Sequence, residues 1–211
     1  MATETQSKAK ETFHFINDPA EAISDAMNGL TYLKPSLSYS KEYKIVYRND
    51  VEAFKKDHVT TIGFAGGGHE PMFSGFVGHN YLTAYVSGAV FAAPTAAQIF
   101  EAIKLCQSPG ENSMGTLVVC GNYTGDILNA GLAITRAQAA GYKVRFVPVG
   151  DDVAVGREKG GKVGRRGLSG HLIALKNVCA LAERGESLER LAEVVEYIAA
   201  NVGTIGVAFD R

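Results

Sequence analysis

The pattern of apolar and polar positions divides the 211-residue chain into short β-type runs and helical stripes. Runs of β-branched, aromatic or continuous apolar residues predict strands at 43–47, 59–64, 81–86, 89–91, 116–120, 143–149 and 204–209. Apolar residues at helical spacing predict helices at 19–33, 95–106, 125–140, 168–179 and 188–198. The order strand, helix, strand over 116–149 is typical of a β-α-β unit, which implies parallel pairing. We therefore expect an α/β fold, with a mixed, mostly parallel sheet of about five to seven strands flanked by helices.

Capping residues indicate where several of these helices begin and end. Asp18 before Pro19 is a favourable N-cap, because its carboxylate can accept from the free N–H groups of the first turn. The segment TAAQ at 95–98 is a capping box, and Ser187 is a second N-cap. Gly141 follows the predicted helix 125–140 as a C-terminal stop. The helical stripes therefore have defined ends.

Length, charge and cysteine usage narrow the classes of protein to which the chain can belong. One domain over 1–211 fits the length, and the polar residues 1–12 are expected to be frayed. The 21 basic and 22 acidic side chains leave a net charge of −1, so neither a nucleic acid nor a membrane partner is expected. Cys106, Cys120 and Cys179 are far apart and flanked by apolar residues. We expect them to be buried thiols of a cytoplasmic protein.

Many of the 24 glycines lie in three clusters, and the first cluster contains a candidate site. Gly66, Gly67, Gly68 and His69 directly follow the predicted strand 59–64, where α/β proteins usually bind small molecules. The sequence is not a phosphate-binding P-loop, because no Gly-Lys-Ser/Thr follows. Histidine titrates near neutral pH, so His69 suits proton transfer or hydroxyl binding. Spacing alone leaves a second interpretation open, in which the loop is a tight turn and His69 only bonds a carbonyl group.

A second candidate is the segment NYTGD at 122–126, which joins a predicted strand to a predicted helix. Asp126 would lie near the helix N-terminus, where the helix dipole stabilises a carboxylate and keeps it ionised. An ionised carboxylate at a sheet edge can accept a proton from a substrate hydroxyl. The alternative is a capping aspartate with no chemical role.

Two further charged motifs lie in the C-terminal third of the chain. Asp151 and Asp152 could hold a divalent cation or form a turn after Gly150. Arg165 and Arg166 could hold a phosphate or a carboxylate, or begin a solvated helix. No histidine has metal-ligand spacing with a cysteine, so no metal site is predicted.

Six motifs occur together in one order along the chain. They are FHFINDP at 13–19, GGGHEP at 66–71, GFVG at 75–78, NYTGD at 122–126, GDDVA at 150–154 and GRRGL at 164–168. Over about 13–209 they resemble the N-terminal half of the dihydroxyacetone kinase K domain. Several motifs in the right order are far more specific than any one of them. The chain is therefore identified as a divergent, truncated member of that family, with a single domain of this type over 1–211.

The resemblance implies a function and a set of site residues. In that family the K domain binds short hydroxy-ketones, and a separate partner domain or subunit carries the nucleotide and magnesium. The implied catalytic residues are His69, which holds the substrate, and Asp126, which acts as base toward the hydroxyl to be phosphorylated. The implied substrate contacts are Gly67, Gly68, Gly121, Tyr123 and Thr124. No cofactor is expected within this chain, ATP and magnesium would come only through the partner, and a homodimer is expected.

The sequence departs from the family pattern at several points. The family loop usually reads GGGSGHEP, whereas this chain has GGGHEP. A lysine usually precedes NYTGD, and Gly121 replaces it, which removes a cationic donor and enlarges the pocket. A further histidine, which forms a covalent hemiaminal with the ketone, belongs to the second half of the family's K domain, beyond Arg211. These departures argue against a kinase that acts alone.

Three functions are therefore weighed. The first is a hydroxy-carbonyl-binding chain that phosphorylates its substrate with a nucleotide-carrying partner. The second is a repurposed isomerase, dehydratase or cyclase, in which His69 and Asp126 carry out acid–base chemistry on a bulkier substrate. The third is a non-catalytic binding module.

Overall fold

The computed structural model describes residues 15–156 and 164–209, so the frayed start expected at 1–12 lies outside the described residues. The six strands of its sheet are β1 (Leu37–Ser40), β2 (Ile45–Arg48), β3 (Thr60–Gly67), β4 (Ala84–Val90), β5 (Thr116–Gly121) and β6 (Val144–Val149). The α-helices are α1 (Ala22–Leu33), α2 (Val51–Asp57), α3 (Ala96–Cys106), α4 (Thr124–Ala139), α5 (His171–Glu183) and α6 (Leu188–Asn201). A short 3₁₀ helix spans Ser74–Phe76.

The sheet is mixed and mostly parallel, which confirms the prediction. Its strand order is β1-β2-β4-β3-β5-β6. The four strands β4, β3, β5 and β6 pair in parallel, and β1 and β2 add an antiparallel edge. Because parallel strands run in one direction, the loops after β3, β5 and β6 meet at the same edge of the sheet.

Helices cover both faces of the sheet, and the buried residues of β5 show why. Leu117 and Val119 point into a core shared with α1, α5 and α6. Val118 and Cys120 point into a second core shared with α2, α3 and α4. A strand buried on both faces is apolar at every position, because successive side chains point to opposite sides.

The helix ends agree with the sequence at α3 and α6 but not at α1. Thr95 and Gln98 form the capping box of α3, and the Ser187 hydroxyl accepts from the N–H of Arg190 at 3.2 Å at the start of α6. The helix predicted at 19–33 is present as α1, but its predicted N-cap was wrong: the helix begins at Ala22, and the Asp18 carboxylate accepts from the N–H of Ala20 in the preceding turn.

The structure corrects the predicted secondary structure in three places. β1 and α2 were missed, because both are short and carry few apolar residues at a clear period. The two strands predicted at 81–86 and 89–91 are one strand, β4, in which Gly88 leaves room for the backbone of Ala92. The segment 204–209 is not a strand, since its one pairing is an isolated bridge between Asp152 and Thr204.

Two general properties of the described part of the chain are the character of its helices and the state of its cysteines. None of its helices has both the length and the apolar character needed to cross a membrane. Cys106, Cys120 and Cys179 are buried free thiols. Burial raises the pKa of Cys106 and of Cys179 to about 12, so these two thiols stay protonated at neutral pH.

Candidate functional site

A cavity of about 820 Å³ lies at the carboxyl edge of the sheet, between the loop after β3 and the start of α4. The polar side chains in its wall are His69, Tyr123, Thr124, Asp126, Ser169, His171 and Thr204. Most of the remaining wall is apolar, and its largest side chains are Phe64, Met72, Phe73, Phe91, Leu168 and Ile205. A hollow with apolar walls and a few convergent polar groups is typical of a small-molecule site.

His69 reaches the cavity from the turn that follows β3. Its Nδ1 lies 3.0 Å from the carbonyl oxygen of Gly66, and its ring contacts the edge of Phe91 at a centroid distance of 5.4 Å. A carbonyl group can only accept, so Nδ1 carries the hydrogen in this contact and Nε2 is left for a ligand. Each interpretation of the glycine loop is therefore correct in part, because His69 bonds a carbonyl group and also lines the cavity.

Gly67 and Gly68 support the turn and are not among the described residues that line the cavity. The N–H of Gly68 donates to the Glu70 carboxylate at 2.9 Å, and the carbonyl of Gly67 accepts from Phe91 at 2.8 Å. Gly68 has φ of +97°, a conformation that a glycine adopts without strain. The structure therefore brings His69, but neither of these glycines, to the same cavity as Asp126.

Asp126 lies in the first turn of α4 and is only 8 % exposed. Its Oδ1 is buried and has no hydrogen-bond partner in the described part of the chain. Burial raises the pKa of this carboxyl from 3.8 to about 6, against the opposing effects of its own backbone N–H and of His69. The sequence predicted that the helix dipole keeps this carboxylate ionised; burial acts against the dipole, and a pKa of about 6 still leaves the group mostly ionised at neutral pH. Its side chain does not cap α4, whose N-cap residue is Tyr123.

Gly121, Tyr123 and Thr124 all line the cavity with Asp126. The hydroxyl of Tyr123 donates to the carbonyl of Gly167, which places its ring beside Gly121. A Cβ atom at Gly121 would lie 3.3 Å from that ring and 3.5 Å from the Cα of Gly167. A side chain at this position would therefore press against Tyr123 and occupy part of the cavity.

His171 was missed by sequence reasoning. It is the first residue of α5 and is only 4 % exposed. Its Nδ1 lies 2.6 Å from the carbonyl oxygen of Leu168, and its Nε2 is buried with no partner among the described residues. Burial lowers the pKa of His171, although the Leu168 bond and the charge of Asp151 act in the opposite direction. The signal in the sequence was its position after Gly170, at the end of the third glycine cluster.

Asp151 belongs to the fold rather than to the cavity wall. It is fully buried, and its carboxylate accepts from the N–H groups of Leu168 and Gly170, each at 2.7 Å. The Thr204 hydroxyl donates to the same carboxylate. These three bonds tie the loop after β6 to the start of α5 and to the segment after α6.

The remaining charged motif residues also hold the loop together. Asp152 pairs with Arg166 at 2.7 Å and accepts from the N–H of Ala154 at 3.0 Å. The Arg165 side chain donates to the carbonyl of Val155 at 2.7 Å. The turn interpretation of this motif therefore holds. Within the described residues, no three His, Cys, Asp or Glu side chains lie where they could share one metal ion.

Comparison with known proteins identifies the family. Residues 28–211 match the Dak1 domain. The chain is 42 % identical over 191 residues to dihydroxyacetone kinase 2 of Saccharomyces cerevisiae and 39 % identical over 195 residues to the human triokinase/FMN cyclase. The chain belongs to the Dak1 domain family, which confirms the resemblance found in the sequence.

The chain corresponds to only part of these relatives. The two alignments cover 90 % and 92 % of this chain but 32 % and 33 % of the relatives, so it spans about a third of their length. The structure superimposes on the dihydroxyacetone kinase of C. freundii with a TM-score of 0.79 and 34 % identity, over 89 % of this chain and 34 % of that one. It also resembles the dihydroxyacetone kinase operon co-activator Dha-DhaQ, with a TM-score of 0.74 and 29 % identity, over 82 % of this chain and 51 % of that one.

Proposed function

We propose that the chain binds a small hydroxy-carbonyl compound between His69 and Asp126 and phosphorylates it only together with a nucleotide-binding partner. The observation that carries this proposal is the state of Asp126. Its carboxyl group is almost fully buried, has an oxygen without a partner in the described residues, and shares a cavity with His69. Perturbed carboxyl groups in clefts are typical of general bases.

The two side chains have complementary tasks in this proposal. Asp126, with a pKa of about 6, is mostly ionised at neutral pH and can take the proton from a ligand hydroxyl. His69 is oriented by its bond to Gly66, so that Nε2 accepts from a hydroxyl or, when protonated, donates to a carbonyl oxygen. Holding the ligand at two points orients the hydroxyl for transfer.

The names of the relatives and the composition of the cavity wall support a ligand-binding role for this chain and a nucleotide-binding role for the partner. Two relatives are named dihydroxyacetone kinase and putative 3,4-dihydroxy-2-butanone kinase, and both names refer to hydroxy-ketones. No Lys or Arg occurs among the described residues of the cavity wall, which supports a separate source for the charged groups that bind the phosphates of ATP. We propose that the partner supplies ATP and magnesium. The expected homodimer remains a prediction.

The test is phosphorylation of dihydroxyacetone by this chain mixed with a nucleotide-binding subunit of a dihydroxyacetone kinase, ATP and magnesium. We expect turnover above background in the mixture and none with the chain and ATP alone. Asp126→Asn and His69→Ala should each lower the rate at least about a hundredfold. Equal rates for both variants and the unsubstituted chain would contradict the assignment of the site.

The cavity volume supports a second function. About 820 Å³ is near the upper end of the about 300–1,000 Å³ of ligand pockets, and Gly121 leaves more room than a lysine would. These observations favour an isomerase, dehydratase or cyclase that uses His69 and Asp126 on a bulkier substrate. One relative carries both triokinase and FMN cyclase in its name. Product analysis by mass spectrometry without ATP tests this function. Tight binding of a ligand, with neither phosphorylation nor ATP-independent conversion, would favour a non-catalytic module.

A further inference from the structure

Buried polar atoms without partners single out one more residue of the cavity. In the described part of the chain, such atoms occur in His58, Glu70, Tyr85, Asp126 and His171. Of these five side chains, Asp126 and His171 line the cavity. Leaving a buried acceptor unpaired destabilises a fold, so an unpaired atom in a side chain that lines a cavity indicates a contact that a ligand could complete. The proposed function uses Asp126, but not His171.

The hydrogen bond on the far side of the His171 ring determines what its free nitrogen can do. Nδ1 lies 2.6 Å from the carbonyl oxygen of Leu168, and a carbonyl group can only accept. Nδ1 therefore carries the hydrogen. Burial lowers the pKa of His171, which keeps the ring neutral, so Nε2 presents a lone pair. The ring is held in place by Phe73, whose centroid lies 4.4 Å away.

We infer that His171 Nε2 accepts a hydrogen bond from a second hydroxyl of the ligand, and that this contact selects compounds with at least two hydroxyl groups. The inference rests on the proposed function only for the identity of the cavity as the ligand site. His171 and ionised Asp126 are then two acceptors in one cavity. Each requires an O–H or N–H donor, and a compound with a single hydroxyl satisfies one of them.

The charges of the cavity wall restrict the ligand further. The described wall contains one carboxylate, Asp126, and no Lys or Arg. Within this described part of the wall, a phosphorylated or carboxylated ligand would meet the like charge of Asp126 and no lysine or arginine. The wall therefore favours an uncharged polyhydroxy ketone or aldehyde, whose carbon chain can pack against rings such as Phe73 and Phe91.

The test compares ligands with one and with several hydroxyls. Dihydroxyacetone and the longer erythrulose carry at least two hydroxyls, whereas hydroxyacetone carries one. Affinities are measured by NMR titration of the whole chain and of three variants. His171→Phe keeps the ring but removes Nε2, His171→Gln restores an acceptor, and His58→Phe removes an equally unpaired nitrogen outside the cavity wall, from a ring that stacks on Phe54.

We expect the unsubstituted chain and His58→Phe to prefer the polyhydroxy compounds by about three- to tenfold, the effect of one neutral hydrogen bond. His171→Phe should lose that preference while its affinity for hydroxyacetone is unchanged, and His171→Gln should recover part of it. If His171→Phe keeps the preference, the assignment of His171 is wrong while the proposed function stands. If no hydroxy-carbonyl compound binds any of these proteins, both are wrong.

A second measurement needs no variant. In ¹⁵N-histidine-labelled protein, we expect the Nε2 resonance of His171 to be that of an unprotonated ring nitrogen and to move when dihydroxyacetone or erythrulose binds. A protonated Nε2, or an Nε2 resonance that does not respond to a bound polyhydroxy compound, would overturn the inference even if the His171 variants fail to fold.

Discussion

Asp151 and Asp126 are two buried carboxyl groups at the same edge of the sheet, one in the loop after β6 and the other in the first turn of α4, and their surroundings differ completely. Asp151, after β6, accepts from the N–H groups of Leu168 and Gly170 and from the Thr204 hydroxyl. Asp126, after β5, has a buried oxygen with no partner in the described residues. Asp151 is therefore part of the framework, whereas Asp126 is held in an environment that costs stability and suits a ligand.

Satisfied hydrogen bonds, and not burial or position in the sequence, distinguish the structural carboxylate from the functional one. Both aspartates come shortly after a strand, Asp151 in the loop before α5 and Asp126 in the first turn of α4, and both belong to glycine-containing motifs. A buried charge is tolerated when its hydrogen bonds are made, and it becomes costly when they are not. Sites of chemistry are where proteins accept that cost. Substitutions at the two positions should therefore change stability in opposite directions.

The largest expected effect is the destabilisation caused by Asp151→Ala. The substitution removes the acceptor of the Leu168 N–H and of the Thr204 hydroxyl. It also removes one of the two acceptors of the Gly170 N–H, which donates to the Thr204 hydroxyl oxygen at 3.0 Å as well. We expect a loss of about 3–5 kcal/mol in the free energy of unfolding, measured by urea denaturation. A loss below about 1 kcal/mol would show that these bonds do not hold the loop.

The next effect has the opposite sign. The pKa of Asp126 is raised in the folded chain, so the folded state binds the proton more tightly than the unfolded state does. The contribution of this group to stability therefore falls as the pH rises from about 4 to about 6. Relative to the unsubstituted chain, Asp126→Asn should gain about 2 kcal/mol of unfolding free energy between about pH 4.5 and about pH 7.5. A relative stability that does not change with pH would contradict the burial effect.

Arg166→Gln should have the smallest effect. Its guanidinium is exposed, and it lowers the pKa of Asp152 through their ion pair. Exposed pairs contribute little and are screened by salt. We expect a small decrease in the urea midpoint that disappears at high salt, and also as the pH falls below the usual range of an aspartate. A decrease as large as that of Asp151→Ala would mean that the arginine, and not Asp151, organises this loop.

Local signals predicted much of the fold. The apolar run 116–120 and the capping box at 95–98 are specified by neighbouring residues, and both elements were found. The segment 204–209 has an equally apolar sequence but forms no strand, since whether a segment pairs depends on distant strands. Ile205 and Val207 are 75 % and 86 % exposed.

The sequence predicted two residues of the candidate site and missed a third. The motifs pointed to His69 and Asp126, which do share a cavity. The raised pKa of Asp126 was not predicted, because burial is a property of the whole fold and not of the helix N-terminus. His171 was missed because nothing in its neighbouring residues indicates that its Nε2 is left unpaired at a cavity wall.

The most direct test of the central claim is the pKa of the Asp126 carboxyl, measured by ¹³C NMR with and without dihydroxyacetone. In the free chain we expect a value of about 6. A bound hydroxyl that donates to the ionised carboxylate should lower the pKa, and by linkage the ligand should bind more tightly above about pH 6 than below it. An ordinary aspartate pKa, or a raised pKa that bound dihydroxyacetone leaves unchanged, would contradict the role of Asp126 as the group that meets the substrate hydroxyl.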